Sequence, residues 1–127
     1  MRTWITPEPP GPLFRALVDA LESAALSTLV PAGSRERTGA DHPDGAGHQI
    51  LEIWKPQWFE EVIRMDPRAG IGLPLRIHLH VQENQTHLTY WTASETLAPY
   101  PAPALAAWAR AIDHELCTIL TAVAQGL

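Results

Sequence analysis

The chain has 127 residues, 46% of them hydrophobic and 18% charged, a length suited to one domain spanning residues 1–127 and a balance that excludes a disordered chain. Nine Lys and Arg against 14 Asp and Glu leave a net charge of -5. The basic side chains are scattered, so no face is expected to neutralise phosphates and nucleic acid is excluded as a partner.

In chain order, residues 2–6 are short and β-prone, and Pro7, Pro9 and Pro10 end them. Gly11-Pro12 then opens a helix on which Phe14, Leu17, Leu21 and Ala24 recur at helical spacing. Residues 27–30 read as a second short strand stopped by Pro31. Residues 32–47 hold Gly, Pro, Asp, Arg and Ser without apolar periodicity, which predicts a mobile loop. Strand character returns at 48–53. Pro56 then starts a short helix through Trp58, Phe59, Val62 and Ile63, which Asp66-Pro67 breaks.

Residues 73–81 and 86–93 read as two strands of a hairpin around Glu83-Asn84. Beyond Pro99, Pro101 and Pro103, the longest helix covers about 104–125. Its expected buried stripe is Leu105, Trp108, Ile112, Leu116, Ile119 and Val123. Strands, a helix, a hairpin and a terminal helix predict an α+β fold, an antiparallel sheet with helices packed on one face. Such a sheet leaves its other face for water or a partner.

Two stretches carry a resemblance. Ile50-Leu51-Glu52-Ile53-Trp54-Lys55-Pro56 is followed by a block from Glu61 to Ile77 that contains Asp66-Pro67-Arg68-Ala69-Gly70 and Leu73-Pro74. Together they resemble the central block of the domain of unknown function 302 family, in which a strand runs into a helix and an Asp-Pro-x-x-Gly segment and a Leu-Pro turn lead to the next strand. The resemblance implies a TATA-binding-protein-like fold of β-α-β-β-β-β-α type, and it implies a homodimer. It brings no settled activity and no catalytic residues. The sequence departs from the family pattern at residues 32–47, where a helix is usual, and at Trp54-Lys55-Pro56, which replaces an Asn-Pro dipeptide.

The most informative pattern is Arg76-Ile77-His78-Leu79-His80-Val81, followed by His87-Leu88-Thr89-Tyr90-Trp91. Residues two apart in a strand share a face, so Ile77, Leu79 and Val81 point to the core while Arg76, His78 and His80 point away. A hairpin loop of two or four residues sets His80 against His87; a loop of three slips the register by one and separates them. In the first register three imidazoles share one patch, a ligand set for a transition metal with an open position. When protonated, the same patch suits an anionic small molecule, with Arg76 assisting and Trp91 as an apolar wall. Equally, polar residues at alternate positions are what any half-buried strand shows.

Other clusters are weaker. Asp41, His42, Asp44 and His48 fit no standard metal spacing and read as solvated loop. Cys117 lies three residues after His114 in mid-helix, where a thiol packs as a small hydrophobe rather than acting as a nucleophile. Glu60 and Glu61 diverge on a helix surface, and Gly70-Ile71-Gly72 lacks the lysine of a phosphate loop. Trp58 and Trp108 read as core. Trp54 and Trp91, at strand ends, read first as core and second as the wall of a pocket or subunit contact. A lone cysteine asks for no oxidising compartment, no apolar run reaches the roughly 20 residues of a membrane span, and no signal-peptide pattern opens the chain. Cytoplasmic residence is the resulting expectation.

Three function classes follow, in this order: a module binding a small ligand or transition metal at the hairpin face, an interaction or homodimerisation domain using the open sheet face, and an enzyme with a histidine base or metal site. An enzyme ranks last because no nucleophile, acid or base has a nameable partner.

Overall fold

The computed structural model describes residues 1–30 and 48–126. Residues 32–47, read above as a mobile loop, lie outside the described residues together with Asp41, His42 and Asp44. The elements run β1 (Arg2–Thr6), α1 (Pro10–Ser23), β2 (Ser27–Leu29), β3 (His48–Trp54), α2 (Pro56–Met65), a 3-10 helix (Pro67–Gly72), β4 (Leu75–Gln82), β5 (Gln85–Trp91), α3 (Ala93–Leu97) and α4 (Pro103–Ala124). The strands form one antiparallel sheet in the order β1-β5-β4-β3-β2. This is the expected α+β layer, with three short helical elements punctuating the strands.

Alternation along the strands divides the sheet into two chemically different faces. Leu51 and Ile53 of β3, Leu75, Ile77 and Leu79 of β4, and Leu88 and Tyr90 of β5 are buried. They share one core with Leu13, Leu17 and Leu21 of α1 and Leu105, Ile112, Leu116 and Leu120 of α4. Each such aliphatic side chain contributes roughly 1.5–3 kcal/mol on burial, which makes this face the main source of stability. The intervening strand residues turn to the other face and are half-buried or exposed.

Several side chains depart from expectation. On α1 the innermost position is Leu13, with Phe14 half-buried beside it. Both residues satisfy a helical repeat with Leu17 and Leu21, and tertiary packing selects one. On α4, Trp108 and Ile119 are half-buried, while Ala109, Cys117 and Leu120 are buried. Trp108 sits edge-on to buried Trp58 at 6.0 Å between centroids and donates its indole N–H to Glu61 at 2.6 Å. An indole at a helix rim thus keeps its body in the core and its N–H on a partner. Trp91 is not core: it is 52% exposed on the sheet face away from the helices.

The 3-10 helix and α3 were not foreseen. Asp66 opens the first, accepting from the Arg68 backbone N–H at 3.0 Å and from its guanidinium at 3.1 and 3.2 Å. Thr92 caps α3, its hydroxyl oxygen accepting from the Glu95 N–H at 3.1 Å. No helix among the described residues is long and apolar enough to cross a membrane.

Candidate functional site

The hairpin turn decides whether the histidines meet. Glu83 and Asn84 form a two-residue connection, with φ of 54° and 63°. Two successive positive φ values give the twist that matches right-handed strand pairing. The resulting register sets His80 opposite His87, Val81 opposite Thr86 and Arg76 opposite Trp91. Arg76, His78, His80, His87 and Trp91 therefore all share the open face.

A fourth imidazole joins them. β3 pairs with β4 so that His48 lies directly opposite His80, and Ile50 opposite His78. A row across the sheet then runs Ile5, His87, His80, His48 over four strands. Ring centroids are 4.9 Å apart for His78–His80 and for His80–His87, 5.2 Å for His48–His78 and 5.5 Å for His48–His80. The Nδ1 of His48 and Nε2 of His78 are hydrogen-bonded at 3.1 Å. At the centre, Nδ1 of His80 is buried and finds no hydrogen-bond partner among the described residues.

Crowding controls the charge of the cluster. Partial burial pushes His78 below the ordinary imidazole range, and the nearby charges of His80 and His48 add to the effect. Burial likewise lowers His80; a hydrogen bond with Gln82 offsets part of this, while His87 and His48 push it further down. The inner rings are consequently neutral near pH 7, each with a lone pair available. The rings of His48, His78 and His80 stack within 19° of parallel. Parallel rings aim their lone pairs side by side, and among the described residues no three His, Cys, Asp or Glu side chains are posed together as metal ligands.

Arg76 and Trp91 occupy the next row rather than the imidazole cluster. The Arg76 guanidinium lies 3.8 Å from the Glu52 carboxylate, its cross-strand neighbour. With Pro74 and Thr96, Arg76 and Trp91 line a pocket of about 220 Å³. Cys117 is buried, and burial raises its thiol above the ordinary range, with the neighbouring Arg2 pulling the other way. A thiol so placed is a poor nucleophile. Glu61 is taken up by Trp108.

Sequence reasoning grouped His48 with Asp41, His42 and Asp44 and did not place it beside the hairpin histidines. The partner strand of His48 lies beyond α2 and the 3-10 helix, so no turn chemistry announces the register. The available signal was Ile50, Leu51 and Ile53, which mark β3 as a strand without fixing its neighbour.

The model of the DUF302 family, described as a domain of unknown function, matches residues 36–123. Among solved structures, the crystal structure of an uncharacterized conserved protein DUF302 from Bacillus stearothermophilus is similar with a TM-score of 0.77, at 17% identity, over 98% of this chain and 94% of that one. Likeness at that identity shows the fold alone. No curated protein matches the chain.

Proposed function

The chain belongs to the DUF302 family of domains of unknown function, and we propose that it is a binding module whose open sheet face takes up a transition metal ion through its imidazole cluster. The observation that carries this reading is the meeting of four histidines from β3, β4 and β5, with the Nδ1 of His80 at their centre buried and unpartnered among the described residues. Neutral imidazole is the commonest protein ligand for zinc, copper and nickel.

The pair His48 and His78 supports it further. Their facing nitrogens are 3.1 Å apart. Two imidazole nitrogens at about 2.0–2.1 Å from one tetrahedral zinc stand roughly 3.3 Å from each other. The spacing of the two nitrogens suits one ion, which replaces the shared hydrogen once the near-parallel rings turn so that their lone pairs converge, the donor ring changing tautomer. His80 completes three ligands by turning its ring out of the stack, and His87 lies behind it as a fourth. Three imidazoles leave a position for water or a small ligand.

The test is metal affinity in two variants. His80→Ala and His48→Ala each weaken zinc or nickel binding by at least about tenfold, since losing even an outer-shell partner of a metal ligand costs about 10–100-fold, while circular dichroism stays native. In the wild-type protein, metal at 100 times its Kd adds about 2.7 kcal/mol to stability, and a chelator removes it. Equal affinity in all three proteins contradicts the site.

A second reading rests on a separate observation. Ile5 and Trp91 are 56% and 52% exposed on this same face, and a second copy of the chain would cover them. That homodimer predicts that Ile5→Ser with Trp91→Ser shifts sedimentation towards monomer, and that His80→Ala, on the face so covered, alters association without changing metal content. A wild-type protein that sediments as a monomer at high concentration sinks it.

A further inference from the structure

Away from the sheet face, a cleft of about 680 Å³ opens between β1, the start of α3 and one side of α4. On α4 its lining residues fall at 110, 113, 114, 117, 118 and 121, spacings of three and four that place them on one stripe. This stripe is polar, whereas the neighbouring stripe of Leu105, Ile112, Leu116 and Val123 is buried. From the opposite wall, Arg2 enters the cleft: it pairs in register with buried Tyr90 and so points to the helix side of the sheet.

The charges in the cleft do not cancel within the fold. Asp113 is committed to structure: one carboxylate oxygen accepts from the Tyr90 hydroxyl and the Ala93 N–H, each at 2.7 Å, and the other from the Ser94 N–H at 3.1 Å. Glu95 pairs with the Met1 amino group and accepts from Thr92. Among the described residues neither Arg2 nor Arg110 pairs with a carboxylate; the pairs formed are Met1–Glu95, Lys55–Glu115, Arg68–Asp66 and Arg76–Glu52. Arg2 is held over the Trp4 ring at 5.2 Å. That indole is in turn fixed by donating to the Thr121 hydroxyl at 3.1 Å, and Thr121 lines the cleft.

Two guanidiniums with no carboxylate partner among the described residues thus face one recess, which Ser94 and Thr121 also line. The Thr92 and Thr118 hydroxyls already donate to Glu95 and to the His114 carbonyl. Guanidinium matches the planar oxygens of carboxylate and phosphate groups through paired hydrogen bonds. We propose that this cleft binds a small organic oxyanion, a carboxylate- or phosphate-bearing molecule, between Arg2 and Arg110. It shares no residue with the imidazole cluster, so either site stands if the other fails.

The experiment titrates the full chain with succinate and, separately, with inorganic phosphate at constant ionic strength, following the Arg Nε–Hε signals by NMR. Saturable shifts of the Arg2 and Arg110 signals with either probe, at a Kd of about 1 mM or tighter, support the site. Arg110→Gln, at an exposed position, weakens that binding about tenfold, and Arg64→Gln, outside the cleft, leaves it unchanged. Linear, non-saturating shifts with both probes overturn the proposal. So does equal binding by wild type and Arg110→Gln, or equal weakening by Arg64→Gln.

Discussion

His80 concentrates the tension in the molecule: it is a polar ring on the sheet face turned away from the helices, yet its Nδ1 is buried and unpartnered among the described residues. Both His78 and His80 titrate below the ordinary 6.5 when folded. Below that pH the unfolded chain therefore takes up protons that the folded chain refuses. The stability present above pH 6.5 is lost as pH falls towards the folded values. Denaturant midpoints at pH 7.5, 6.5 and 5.5 should decline in that order, and His78→Asn with His80→Asn should flatten the decline. Tyr90 works at the same scale on the other face. Its buried phenol is held far above the ordinary range by burial and by Asp113, so it stays protonated in base until the chain unfolds, which absorbance near 295 nm follows. Tyr90→Phe removes a hydrogen bond to a carboxylate and should cost about 1.5–3 kcal/mol by urea unfolding.

At the scale of elements, the hairpin is both the most legible feature and an improvable one. Alternation in β4 and β5 assigned each side chain its face, and the Glu83-Asn84 pair marked the turn. The positive φ of Glu83 was not legible, because nothing in a glutamate favours that region. Glu83→Asn with Asn84→Gly supplies the residues this turn prefers and should raise stability by roughly 0.5–1 kcal/mol without moving the histidines. Chemical denaturation and unchanged imidazole NMR shifts check both parts. Sequence reading faltered where pairing is non-local. The β3–β4 register that brings in His48 spans two intervening helical elements, and α3 depends on its Thr92 cap and on Asp113 reaching over from α4. The identity of the helix-facing residues shifted by one place at Phe14 and Leu13, since a 3.6-residue repeat tolerates either. The polar stripe of α4 could have been found by the same periodicity that found its apolar neighbour.

At the scale of the molecule, one sheet has two chemically different faces. Its helix-covered face supplies the stabilising core, and the face turned away carries the imidazole cluster with exposed Ile5 and Trp91. Changes on the open face should consequently alter binding more than folding. The reverse holds for Leu116→Ala, which should cost 2–5 kcal/mol as a core truncation, on the order usual for such cavities, while sparing metal affinity in whatever fraction remains folded. The measurement that bears most directly on the imidazole site is metal content by mass spectrometry. It requires untagged protein purified without chelator, followed by titration with zinc, copper and nickel. The site predicts near-stoichiometric transition metal, or uptake of about one equivalent, from which a chelator strips it. Protein that is free of metal and refuses all three ions contradicts it.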